Sequence, residues 1–261
     1  MDASKGLTLA TRIGFATRGA LYLVIAYLIV RTGKAEDTSG AIAYLGEGGG
    51  QILLAVMAIG LFAYGIWRLS DAIFDAERHG TDKKGMAERV GAGASGAIHL
   101  FLGWQAVSLM QGASSSSGSG AQEGAQTALD LPGGTVLVLI GALVLLGVGL
   151  FQLRKAWKAS FLCHLEGRVA QKAWAQWSGR AGYAARGLVF LVTGYFLAQA
   201  GFQQEASEAG GMEQALGWLD NPWDVIVGLG FAAFGVFSLI EARYRVLHDV
   251  PVDEAVQRVV R

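Results

Sequence analysis

Arg12-Ile13-Gly14-Phe15-Ala16-Thr17-Arg18-Gly19-Ala20-Leu21-Tyr22 opens an apolar run, and the chain repeats the pattern. A second near-intact copy is Arg180-Ala181-Gly182-Tyr183-Ala184-Ala185-Arg186-Gly187-Leu188-Val189-Phe190. An eroded copy lies between them: Arg89-Val90-Gly91-Ala92-Gly93-Ala94-Ser95-Gly96-Ala97-Ile98-His99. A fixed period of this kind means a duplicated structural unit. The two glycines of each copy stand five residues apart, about 140° around a helix, so they face two different neighbours.

Each copy begins one of six apolar runs: Ile13–Val30, Ile52–Phe74, Val90–Met110, Thr135–Leu153, Ala181–Ala200 and Trp223–Ile240. Each reaches or approaches the ~20 residues that carry a helix across ~30 Å of hydrocarbon. The runs do not alternate as barrel strands would, and in lipid a helix satisfies its own backbone. Composition agrees. Of 261 residues, 52% are hydrophobic and 16% charged, and 38 are glycine. Low charge and abundant glycine suit helices that pack closely in a membrane. The first run is not expected to be a cleaved signal, because Arg31-Thr32-Gly33 is a poor cleavage site and the same opening recurs at Arg180.

The runs pair into repeats over residues 10–78, 87–165 and 178–250, within a single membrane domain spanning 1–261. Runs two and six share a second motif, Gly60-Leu61-Phe62-Ala63-Tyr64-Gly65 against Gly230-Phe231-Ala232-Ala233-Phe234-Gly235, of which run four keeps Gly149. With the N-terminus inside, 19 of the 21 Lys and Arg fall on the cytoplasmic side, leaving Arg31 and Lys34 outside. That skew sets the orientation. Both termini are then cytoplasmic, and the fold expected is an all-α membrane protein. Its six transmembrane helices form three parallel hairpins with pseudo-threefold symmetry.

The repeated Arg-x-Gly-aromatic-Ala-x-Arg-Gly opening, with two helices per repeat and three repeats, resembles the domain of unknown function 1206 family of bacterial membrane proteins. The resemblance covers nearly the whole chain. It departs in the middle repeat, where Ser95 stands for the second arginine and Gly93 for the alanine. It implies a three-repeat protein of the bacterial inner membrane and no established activity.

Candidate functional residues are the polar groups in or near the runs, which are costly there. Arg18 and Arg186 lie near the cytoplasmic starts of their helices, and Asp71 and Glu241 near the cytoplasmic ends of runs two and six. Repeat two has lost both partners, with Ser95 and Lys155 at those positions. Joint loss implies pairing, within a hairpin or across to its neighbour, as a structural lock or a proton relay. The pairs expected are Arg18 with Asp71 and Arg186 with Glu241. His99 replaces the Tyr22 and Phe190 positions, with Gln105 further along. His99 is either a titratable functional group at mid-membrane depth or a buried histidine bonded to a neighbouring helix.

The connection Arg154–Trp177 mixes tryptophans with basic residues and is expected to form a helix in the inner interface. Gly112–Gly124, with Ser114–Ser117, is expected to be a flexible outer loop. His79, His164 and His248 follow runs two, four and six but share no register, so no metal site is assigned. Cys163 is the single cysteine, which excludes an internal disulfide or CxxC site. No phosphate-binding loop, HExxH or nucleophile elbow occurs. The longest stretch between runs, 154–180, leaves no room for a soluble catalytic domain.

The expectation is therefore no enzyme, no cofactor and no nucleic-acid partner. It is instead a structural or interaction scaffold that binds membrane lipid or another membrane protein. A small proton- or ion-coupled transporter or channel near the pseudo-axis is the alternative.

Overall fold

The computed structural model describes residues 3–32, 41–44, 51–75, 79–112, 120–219 and 222–246. Among these residues the chain is helical, with an isolated bridge between Leu165 and Arg245 and no strand. Its long helices are α1 (Ala3–Thr32), α2 (Gln51–Phe74), α3 (Lys83–Met110), α4 (Gly134–Lys158), α5 (Ala173–Gln203) and α6 (Trp223–Tyr244). Each contains one of the apolar runs, and α3 and α5 extend it by about two turns at their basic starts. All but α3 are long and apolar enough to cross a membrane, the make-up of a multi-pass membrane protein. The α3 run is diluted by His99, Gln105 and the glycines of its first half. Large apolar side chains point outward, among them Ile52, Val56 and Ile59 on α2 and Leu143, Val144 and Leu150 on α4. A water-facing surface would not carry so many together.

The helices pack in the order α3, α2, α1, α6, α5, α4. The first and third hairpins, α1–α2 and α5–α6, close as expected. The middle hairpin does not, since no comparable packing joins α3 to α4. The reason is visible at the contacts that close the others. Gly14 lies against Tyr64, and Gly182 lies against Phe234. Gly60 meets Thr17, and Gly230 meets Ala185. The matching residues of repeat two are Gly91, Val148, Val144 and Ala94. All four are exposed, and no described atom lies within 4 Å of a side chain built on Gly91.

The tightest packing runs between repeats. A methyl group built on Gly19 would lie 2.9 Å from the Gly235 carbonyl oxygen, and one on Gly235 would lie 2.9 Å from that of Gly19. Gly65 and Gly96 stand in the same reciprocal relation at 3.1 and 3.0 Å, and Gly149 and Gly187 at 3.0 Å each way. In all three pairs the leucine four residues beyond each glycine covers the opposite glycine: Leu23 and Leu239, Leu69 and Leu100, Leu153 and Leu191. Removing two Cβ atoms at one level lets the backbones touch, and the leucines seal the crossing. Thus α1 meets α6, α2 meets α3, and α4 meets α5 through one repeated joint. The second glycine of each opening motif faces the preceding repeat, and the first faces its own hairpin where that hairpin is closed.

Aromatic side chains fill the centre. Phe231, Phe234 and Phe237 of α6 are fully buried, with Tyr22, Tyr183 and Phe161 packed edge-on around them and Phe161 stacked on Tyr183. The connection between α4 and α5 is not a separate interfacial helix. After Lys158 it turns through a 3-10 segment, Ser160–His164, and a one-turn helix, Gly167–Ala170. Phe161 and Leu165 turn inward, and the segment hydrogen-bonds to the end of α6, from Glu166 N to Tyr244 O at 3.0 Å and from Val246 N to His164 O at 2.8 Å. A buried Phe161 makes the segment a plug for the bundle, while Trp157, Trp174 and Trp177 remain outside. At the opposite end, residues 120–124 begin a helix, Gly120–Leu129, where a loop was expected. Its Ala125 packs on Ala200, Ala206 and Ala209. Ser114–Ser117 lie outside the described residues.

Candidate functional site

The three glycine joints carry the polar residues at fixed offsets. One residue before the opening-motif glycine come Arg18, Ser95 and Arg186. Three and six residues after the partner glycine come Ser238 and Glu241, Arg68 and Asp71, and Gln152 and Lys155. The sites therefore form between repeats.

At the α1–α6 joint, Arg18 is buried. It donates from Nε to Ser238 Oγ at 3.0 Å, from Nη1 to the Tyr64 hydroxyl at 2.7 Å and from Nη2 to Glu241 Oε2 at 2.5 Å. Ser238 in turn donates to the Phe234 carbonyl at 2.9 Å, one helical turn back. The second oxygen of Glu241 takes a bond from Arg245 Nη1. The guanidinium of Arg18 lies over the rings of Phe15, Tyr64 and Phe234, 4.6, 5.3 and 5.0 Å from their centroids. Both charges are thus desolvated, matched and enclosed by aromatic faces.

At the α2–α3 joint, the arginine has changed helix. Ser95 stands where Arg18 would be, and Arg68 on α2 bonds Asp71 Oδ2 at 3.3 Å. Asp71 is fully buried and also receives His79 Nε2 at 3.2 Å. The other nitrogen of His79 lies 2.8 Å from Glu88. His79 is therefore tied into an ion-pair cluster, and among the described residues no group of three His, Cys, Asp or Glu is arranged for a metal. His164 lies beside Cys163, and His248 lies outside the described residues.

At the α4–α5 joint nothing replaces the acid. Arg186 makes no ion pair among the described residues, and its Nε is buried without a hydrogen bond. Its guanidinium lies over Phe234, Tyr22 and Phe190, at 4.5, 5.5 and 5.6 Å. Phe234 stands where Tyr64 offers Arg18 a hydroxyl, and Lys155 stands where Glu241 offers a carboxylate. The ammonium of Lys155 lies 4.9 Å from the Phe151 ring and 5.9 Å from the Tyr183 ring.

The expected pairs are therefore redrawn. Arg18 meets Glu241 rather than Asp71, and Arg186 does not meet Glu241. Sequence position places Asp71 and Arg18 in one hairpin. The close glycine contact instead brings the last helix against the first.

His99 takes part in the α2–α3 joint. Its ring lies 4.4 Å from that of Tyr64, as the ring of Tyr22 lies 4.7 Å from that of Phe234. It thus occupies the packing position of Tyr22, facing inward, and its Nδ1 is 2.7 Å from the Ser95 carbonyl. Gln105 is half-buried two turns further along α3. Tyr64, Arg68, Gln152, Ser238 and Arg245 were not singled out from sequence. An offset of three residues from the second-motif glycine identifies Arg68, Gln152 and Ser238.

A family model matches residues 13–75, 90–159 and 181–245, three segments that each lie within one repeat. The chain is also similar to the uncharacterized protein YxxB of Bacillus subtilis (strain 168), 27% identical over 247 residues covering 90% of each protein. No solved structure shows a significant match. The three matched segments, one in each repeat, together cover more than half of the chain, which therefore belongs to the family described as Domain of Unknown Function (DUF1206).

Proposed function

We propose that this protein is a non-enzymatic scaffold of the bacterial inner membrane, with six crossings, both termini cytoplasmic and three hairpins about a pseudo-threefold axis. Two hairpins and three glycine joints form its rigid part. The open middle hairpin is its receptor face, for lipid or for another membrane protein. The observation that carries this reading is the filled centre, where Phe231, Phe234 and Phe237 are buried to 1% exposure or less. Aromatic side chains packed this closely beside α1 and α5 resist a continuous water path there. The exposed faces of α3 and α4 at Ala94 and Val144 are free to take a partner.

The test combines two measurements on the full-length protein. A photo-reactive residue placed at Ala94 or Val144 in native membranes should give adducts with one defined partner. Proteoliposomes should pass protons and monovalent ions no faster than empty vesicles. Scattered adducts together with ion flux would reject the scaffold.

The transporter reading draws on one observation. His99 touches Tyr64, and the Tyr64 hydroxyl accepts from the Arg18 that pairs with Glu241. On this reading a titratable ring next to a buried ion pair starts a proton path, with Gln105 beyond it. Flux that disappears in His99→Phe while the fold persists would favour transport.

A further inference from the structure

We propose that the opening between α3 and α4 holds an anionic phospholipid, whose headgroup phosphate gives Arg186 and Lys155 the negative charge that Glu241 gives Arg18. The proposal rests on the scaffold reading and names its ligand.

The argument begins with charge balance at the three equivalent joints. The first is balanced by Arg18 and Arg245 on Glu241. The second lost its arginine at Ser95 but regained one at Arg68, so Asp71 stays paired. The third kept its arginine and exchanged its acid for Lys155, so two cations stand where a cation and an anion stand elsewhere. Among the described residues neither Arg186 nor Lys155 forms an ion pair, and the Arg186 Nε makes no hydrogen bond. Gln152, at the position of Ser238, is buried and adds an amide that can donate. Two cations and an amide at the equivalent positions of one joint supply the kind of donors that an oxyanion takes.

The opening explains how a lipid reaches it. The residues that close the other two hairpins have exposed counterparts here in Gly91, Ala94, Val144 and Val148. Their side chains are small or apolar, so the slot suits an acyl chain. Arg186 lies six residues beyond Arg180, about 9 Å along α5 from the basic end. Lys155 is closer to that end, beside the exposed Trp157. An acyl chain in the slot and a phosphate near Lys155 match a lipid of the leaflet at the basic end. Basic pockets between membrane helices on the cytoplasmic side are where anionic headgroups bind.

The experiment uses full-length protein in mild detergent, with lipid retention read by native mass spectrometry and stability by thermal melting. Wild type should retain phosphatidylglycerol in preference to phosphatidylcholine. Lys155→Glu gives Arg186 an internal partner, copying the Arg18–Glu241 joint. It should reduce phosphatidylglycerol retention roughly tenfold and raise the melting temperature of lipid-free protein. Lys155→Gln should weaken retention without that rise, and Arg186→Gln should abolish the lipid preference. Inorganic phosphate and oleate serve as separate probes of headgroup and chain, and neither alone should match the lipid. Unchanged retention in Lys155→Glu, equal retention of both lipids, or full protection by either partial probe would overturn the proposal. The outcomes at Ala94 and Val144 are read independently, so a protein adduct there with no lipid preference removes the lipid and leaves the scaffold.

Discussion

Arg18 and Glu241 are 223 positions apart in the chain and 2.5 Å apart in the fold. Their bond joins the first long helix to the last. Tyr64 and Ser238 hold the same guanidinium from two other directions, so the arginine ties α1 to both α2 and α6. Arg186, at the same motif position, has rings around it and no ion pair among the described residues.

Removing one partner of the buried pair should be costly. Glu241→Ala leaves Arg18 desolvated and should destabilise the protein by about 3–5 kcal/mol. Arg18→Met with Glu241→Leu should recover most of that loss. A double-mutant cycle in detergent should give a coupling of about 0.5–3 kcal/mol for Arg18 with Glu241, and near zero for Arg18 with Asp71. Coupling of Arg18 to Asp71 instead would restore the pairing expected within the hairpin.

Glycine substitutions should separate into two classes. Gly19→Ala, Gly149→Ala and Gly235→Ala place a methyl within 3.0 Å of a carbonyl oxygen on the facing helix. Overpacking of this kind costs about 1–3 kcal/mol. Gly91→Ala and Gly147→Ala meet no described atom within 4 Å and sit in helices, where alanine is favoured by about 1 kcal/mol. Melting temperatures should fall for the first group and hold or rise for the second. Equal losses in both groups would show that the joints do not set the packing.

His99→Phe should fold. The ring packs on Tyr64 as Tyr22 packs on Phe234, and repeat three has Phe190 at the position. A swap of ring for ring costs less than about 1.5 kcal/mol. His99→Ala should lose more than His99→Phe, because it empties the position. If the two variants melt together, the ring contact with Tyr64 contributes nothing.

Reporter fusions test the orientation. Fusions after Lys34, Ser117 and Gln204 should report outside, and fusions after Thr81 and Gly167 should report inside. The charge distribution of the chain demands this order. A reversed report at Thr81 or Ser117 would break the repeat across its middle. Residues 34 and 117 lie outside the described residues, and the fusion result depends on side rather than on structure.

The helices were legible because two independent signals coincide, the length of each apolar run and the recurrence of the opening motif. The glycines five apart announced two different neighbours, and Gly14 and Gly19 do face α2 and α6. Which neighbour belongs to which glycine was not legible, because spacing on one helix carries no address for another. That gap misdirected the ion pairs. The leucines four residues beyond the six joint glycines would have helped. Leu23, Leu100 and Leu191 match Leu69, Leu153 and Leu239 at one offset, and a reciprocal joint needs such a match. The open middle hairpin left a trace in Val148, where the other repeats have Tyr64 and Phe234. His99 looked exceptional because its chemistry differs from that of tyrosine and phenylalanine, although its packing place does not.

The meeting of α1 and α6 at Gly19 and Gly235 also sets an order of events during synthesis. Arg18 enters the bilayer with the first helix, but its carboxylate is made 223 residues later. At about 5–20 residues per second the guanidinium waits about 10–45 s for its partner. Until then α1 has no glycine to receive Gly19 and no acid to neutralise its charge. A chain that stops early cannot bury Arg18 cheaply, so completion of the last helix acts as the checkpoint for keeping the first.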